Sequence, residues 1–218
     1  MTMQKKTTFA LAALFSVAAL FLLACGSGGG SPATDVPRTT CKPAQAPVFG
    51  TPADLAPNQK EFQSADRGYV ARYPSDWEPR PDMLNQGSDL EGDAITGDAF
   101  LGPGVGQSVR VNISVACHTV PIGTGSRDFT DALMEVLRQS FGGSPSTATN
   151  IQVDGKDAYR AEYVIRGQQT PESLNIEKIE VIFADERGGW DISLVVPEGQ
   201  LATYTPIFDA FVASFHEQ

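Results

Sequence analysis

Asp89, Glu91, Asp93 and Asp98 bring four carboxylates into one short stretch around Asp89-Leu90-Glu91-Gly92-Asp93. Residues of this type so close together can do two kinds of chemistry. They can offer oxygens to calcium, a hard cation that prefers such ligands. Alternatively, two of them can act as acid and base in hydrolysis, provided a pocket fixes their separation and splits their pKa values. The stretch does not follow the EF-hand spacing, with its central glycine and distant glutamate, and a solvated acidic loop is the plainer expectation. Histidine chemistry is sparse, with only His118 and His216 in the chain. There is no H-E-x-x-H and no G-x-S-x-G, so neither a zinc hydrolase nor a serine hydrolase is signalled. Gly102-Pro103-Gly104-Val105-Gly106 runs into a strand and not into a helix N-terminus, which leaves it without anion-binding geometry. No metal and no cofactor is expected. Trp77, three residues after Pro74, either plugs the core or lines a ligand cleft.

The thiols are more informative. Lys5 and Lys6 precede an uncharged apolar run from Thr7 to Ala24, the pattern of a secretory signal peptide over residues 1–24. Leu22-Leu23-Ala24-Cys25 resembles a bacterial lipobox. That resemblance implies that the Cys25 thiol receives a diacylglycerol and that cleavage leaves Cys25 as the first residue. Two or more acyl chains hold a protein stably at a membrane, whereas one does so only marginally. Gly26, and not aspartate, follows Cys25. The expected address is therefore extracytoplasmic: the outer membrane of a two-membrane host, otherwise the outer leaflet of the cell membrane. Cys41 and Cys117 remain, and in an exported protein they are candidates for a disulfide. Cys117 can also be read as a small core residue of its strand.

Loss of the signal peptide removes two lysines and no acid, taking the formal charge from −10 to −12. An acidic exported domain is a poor partner for nucleic acid, since neutralising phosphates needs a basic surface. Residues 25–58 are rich in Gly, Ser, Pro and Ala and show no apolar period, which reads as a flexible tether. Residues 59–218 form one domain of ordinary size.

Short alternating runs at Lys60–Ala65 and Gly68–Tyr73 suggest a hairpin. Residues 78–107 read as a long irregular segment, and loops of that length tend to be functional. Val109, Val111, Ile113, Val115 and Cys117 alternate through the clearest strand, which leaves His118 on its outer side. Phe129, Leu133, Val136, Leu137 and Phe141 have helical spacing. Strands are expected near 147–153, 156–166, 174–184 and 189–196, with a hairpin at Asp154-Gly155 and a longer turn at Asp185–Gly189. Tyr159, Ala161, Tyr163 and Ile165 form one inward set; Ile179, Val181 and Phe183 a second; Trp190, Ile192, Leu194 and Val196 a third. Lys178, Glu180 and Asp191 fall on the opposite, solvated face. A last helix is expected from Thr205-Pro206. The order β-β-β-α-β-β-β-β-α with tight turns predicts an α+β fold, an antiparallel sheet with helices packed on it.

Gly68-Tyr69, Tyr73-Pro74-Ser75-Asp76-Trp77, Gly155-Lys156-Asp157-Ala158 and the closing Ala213-Ser214-Phe215 resemble the corresponding signals of PsbP-like domains, including the LpqN type of bacterial lipoprotein. The resemblance spans roughly residues 60–218 and implies that fold and a binding module, not an enzyme. Partners are then the membrane, through the lipid, and a protein or small apolar ligand contacted by Trp77 and the 78–107 segment. An extracytoplasmic hydrolase using the loop carboxylates, with or without calcium, is the alternative.

Overall fold

The computed structural model describes residues 36–50, 55–84, 87–88, 94–105, 109–141, 146, 148–166 and 175–218. The alternation of Val111, Ile113, Val115 and Cys117 folds as β6 (Val109–His118), a central strand of the larger sheet. Its neighbours are β5 (Ala94–Val105) and β10 (Gly189–Pro197). Beyond β10 come β9 (Ile176–Ala184), β8 (Lys156–Ile165) and the edge strand β7 (Thr149–Val153). The other edge is short: β3 (Glu78–Arg80) and the two-residue β4 (Gly87–Ser88) both pair with β5. A second sheet has the order β1-β2-β11, from Gln59–Ser64, Tyr69–Pro74 and His216–Glu217. All of these pairings are antiparallel.

Two helices among the described residues complete an α+β fold. Helix α2 (Leu201–Ser214) and the small sheet cover one face of the large sheet. There Phe211 meets Phe100 edge-on at 5.0 Å and Phe215 stacks on Tyr69 at 5.1 Å, within a core floored by Ile113, Val115, Val181, Trp190 and Ile192. Helix α1 (Ser126–Phe141) covers the opposite face, packing Phe129 and Leu133 on Ile182 and Val120. Both faces of the large sheet are therefore dry in part.

That double burial corrects the inward set expected for β8. Tyr159 lies opposite Ile182 and Tyr163 opposite Lys178 in register, so Tyr159, Ala161 and Tyr163 share the α1 side. Ile179, Val181 and Phe183 face α2. A strand apolar on both sides gives period-two patterning nothing to choose between. The same cause overturns the outer position of His118: it is buried, with its ring 5.4 Å from Phe129 of α1.

The last helix begins at Leu201, ahead of the expected Thr205, and carries Pro206 inside it. Its N-terminal amides are capped from a distance. The Glu177 carboxylate of β9 accepts hydrogen bonds from Gly199 N (2.9 Å) and Leu201 N (3.0 Å), a partner that no local signal reveals.

Part of the expected tether is also built into the fold. Thr39 and Cys41 are buried. Thr39 N donates to Val120 O and Val120 N to Thr39 Oγ1, both at 2.9 Å, while Cys41 N donates to Arg187 O at 2.9 Å. Cys41 and Cys117 form a disulfide with Cα atoms 5.8 Å apart. Backbone bonds and a covalent link order this segment, and neither needs an apolar period in the sequence.

Candidate functional site

Cys25, Asp89, Glu91 and Asp93 lie outside the described residues. Trp77 is buried, with its ring 6.4 Å from that of Tyr204 and pressed against Gly102, where a Cβ would come within 2.7 Å of it. It plugs the core and lines neither of the two grooves described below. Asp98 was expected in an irregular loop, but it sits in β5 with 1% of its surface exposed. Of the 78–107 segment, residues 85–86, 89–93 and 106–107 lie outside the described residues. Over 94–105 the irregular reading fails, because β5 holds Gly, Pro and Asp, residues that strands usually avoid. The ladder absorbs them with a register shift between Leu101 and Gly104, and the Gly102 carbonyl is bonded by Arg110 Nε at 2.6 Å.

The carboxylate of Asp98 is fully engaged. It accepts from Tyr69 OH (2.7 Å), Asp82 N (2.9 Å), Ser64 Oγ (3.0 Å) and a guanidinium nitrogen of Arg67 (3.0 Å). Arg67, equally buried, also pairs with Asp82 at 2.7 Å. Burial, reinforced by the Asp98 charge, raises the Tyr69 pKa well above its ordinary value, so the phenol remains a donor. This network fastens the β1–β2 turn to the large sheet. With every oxygen committed, Asp98 is unavailable to calcium or to acid–base work.

Two other features bring chemistry-bearing groups together. On the α1 side of the large sheet, buried Tyr163 and Glu180 and half-buried Lys178 and Asp191 form a polar cluster, a correction to the solvated face expected there. Glu180 is 0% exposed. Lys178 Nζ pairs with Glu180 and lies 5.8 Å from the Tyr163 ring centroid. Ser114 and Ser193 share a hydrogen bond of 2.8 Å on the same face. Tyr163 OH, Glu180 Oε2 and Asp191 Oδ1 make no hydrogen bond. Burial, then the Glu180 charge, lifts the Asp191 carboxyl to about 8, against the pull of Lys178. Burial pulls Lys178 down, but Glu180 and its neighbours more than offset this and the ammonium is held protonated. The Asp191 carboxyl can hold a proton in this cluster. Neither groove described below opens onto it.

The second feature is a strap. Residues 42–49, continuing from the disulfide, run beside the end of the domain and leave a groove on either side. One, of 440 Å³, is lined by Lys42, Pro43, Phe49, Ala65 and Asp66 among others. The other, of 520 Å³, has Pro43 to Val48 on one wall and Asp154, Lys156, Glu186, Arg187 and Glu217 on the opposite one. An ion network stiffens that wall: Lys156 pairs with Asp185 at 2.7 Å and with Glu217, and Arg187 with Glu217 at 2.9 Å. Trp190 Nε1 donates to Asp185 at 3.2 Å. The network joins the β7–β8 turn, the β9–β10 turn and the C-terminal strand β11.

Both features were hard to see in the sequence. The cluster's signal was the set of polar residues alternating with apolar ones along β9, opposite their counterparts on β8 and β10. The groove had only Cys41, a thiol stranded in a structureless composition.

No family model matches the chain, and no curated protein matches it. Solved structures do. The solution structure of cyanobacterial PsbP (CyanoP) from Synechocystis sp. PCC 6803 superposes with a TM-score of 0.50 at 14% identity, over 78% of this chain and 99% of that one. The protein PA94 from Pseudomonas aeruginosa gives 0.49 at 11% identity over 74% and 98%. LpqN, described as involved in cell envelope biogenesis of Mycobacterium tuberculosis, gives 0.36 at 9% identity over 72% and 88%, and no argument rests on it. The chain thus shares its α+β architecture with CyanoP, a likeness of fold and not of function.

Proposed function

We propose that the protein is a lipid-anchored, extracytoplasmic, non-enzymatic binding module that receives a partner protein along the strap. The observation that carries this reading is the Cys41–Cys117 disulfide. Bridges of this kind persist where the compartment is oxidising, which agrees with the signal peptide and the acylation signal at Cys25. The bridge also sets residues 42–49 beside a rigid, charge-paired wall, and so makes the grooves. Their lining, proline and alanine facing acids and bases of mixed sign, suits an extended polypeptide better than a small apolar ligand. The hydrolase alternative loses Asp98, whose oxygens are all taken.

The test is photo-crosslinking in native membranes. A photoreactive residue at Ala46, in the strap, is expected to give a discrete protein adduct, and one at Ala202, on α2, is not. No adduct at Ala46, together with turnover of an ester or glycoside by the pure domain, would defeat the proposal.

A further inference from the structure

Pro121 to Thr124 form a tight turn closed by Thr124 N donating to Pro121 O at 3.1 Å. Gly123 occupies the third position with φ of +93°, as a type II turn demands. The residue before it is pushed outward, and that residue is Ile122, 65% exposed. Alongside lies the segment through which the chain enters the fold. Ile122 N donates to Pro37 O at 2.9 Å, and Arg38 bridges to Pro121. Val36, at the head of that segment, is 52% exposed. Two of the five exposed large apolar side chains among the described residues therefore sit together here. No charged residue falls within Val36-Pro37 or Pro121–Gly125, and Arg38 turns back to donate to Thr119 O.

Chain length says what this tip faces. Eleven residue steps separate Cys25 from Val36. Whatever their conformation, they reach at most ~40 Å. A compact body of this size has a radius of gyration near ~16 Å and is about 40 Å across. A link no longer than the body it holds cannot pass round it from the far pole, so it excludes the inverted orientation and biases the attachment point toward the membrane. Had the fold begun at residue 59, the reach would have been about three times greater and would have imposed no orientation.

We infer that the Pro121–Thr124 turn and Val36-Pro37 form a membrane-facing tip, with Ile122 and Val36 seated at the headgroup–acyl boundary of the bilayer. This rests on the anchored reading above. Two apolar side chains bind a bilayer weakly by themselves. The acyl anchor holds them at high effective concentration, so the weak contact suffices to orient the domain.

The experiment uses the full acylated chain, extracted from its own membranes and reconstituted into phosphatidylcholine vesicles with brominated acyl chains. Single tryptophans are introduced as Ile122→Trp, as Val36→Trp, and as Ala202→Trp on α2. The last lies past the far end of β10, about 26 Å along that strand from the His118 end. Trp77 and Trp190 are buried and common to all the chains. Intact mass first establishes that Cys25 carries its acyl groups. Bromine is expected to remove most of the emission added by Ile122→Trp or Val36→Trp and to spare that added by Ala202→Trp. Equal quenching at Ala202→Trp, or none at both tip positions, in a chain of acylated mass overturns the inference and leaves the anchor standing. A mass without acyl groups defeats the anchored reading, and the inference with it.

Discussion

Asp98 shows how a residue's chemistry is decided by its surroundings. Four donors, one of them a buried guanidinium, converge on its two oxygens. Asp98→Ala leaves Tyr69 and Ser64 without their acceptor and removes the buried counter-ion of Arg67, so unfolding in urea should lose about 3–5 kcal/mol. Tyr69→Phe removes one donor and should lose about 1–2 kcal/mol. Asp191 predicts a pH dependence. Its carboxyl titrates near 8 in the fold, against ~3.9 in an unfolded chain. Between those values the folded state holds the proton and the unfolded state does not, so stability falls as pH rises through this window and levels off above it. Asp191→Asn should flatten the slope, as followed by urea midpoints from acid to mildly alkaline pH. An unchanged slope would place the titration elsewhere. Neither environment was legible in the sequence, because both are made by residues from separate strands. Trp77 was legible in part: a tryptophan after a strand-ending proline suggested a core plug, but only Gly102 opposite it decides the matter.

The elements that were legible are those whose pattern is local. The β1–β2 hairpin, β6 and α1 stand close to where alternation and helical spacing placed them, because each carries one strong apolar stripe, even where its other face is buried too. Elsewhere local signals and tertiary structure disagree. Strand β5 includes Gly97, Asp98, Gly102, Pro103 and Gly104, residues that disfavour strands, and it is held by pairing on both edges and by the close fit of Gly102 under Trp77. Gly102→Ala would push a methyl group into that ring and should destabilise the protein by about 1–3 kcal/mol, with a blue shift or broadening of Trp77 emission as its local sign. The start of α2 was placed too late because proline at the first helical position was the only nearby cue. The actual cap, Glu177, belongs to another strand. Glu177→Ala should cost about 1 kcal/mol, and amide exchange should quicken first at Leu201. Uniform quickening across α2 and β10 together would mean that the cap stabilises the whole body and not the helix end.

For the molecule as a whole, the disulfide between Cys41 and Cys117 decides where the folded body begins. With a sequence separation of 76 between its ends, it should contribute about 4.5 kcal/mol in the chain-entropy account. Mild reduction should therefore lower the urea midpoint markedly and open residues 42–49 to proteases before the sheet is cut. The stranded Cys41 hinted at such a link, but its geometric result, a strap forming grooves and a short stretch of chain between Cys25 and the folded body, needed the fold. On the proposed reading, the acyl anchor, the short lead and the charge-lined strap form one arrangement that presents a partner-binding edge at a membrane surface. Anchoring through Cys25 is read most directly by growing the host on a clickable palmitate analogue, with the wild-type chain and Cys25→Ser side by side. The wild-type protein should take up the label, and Cys25→Ser should stay unlabelled and accumulate as the larger precursor; equal labelling of both, or of neither, would contradict it.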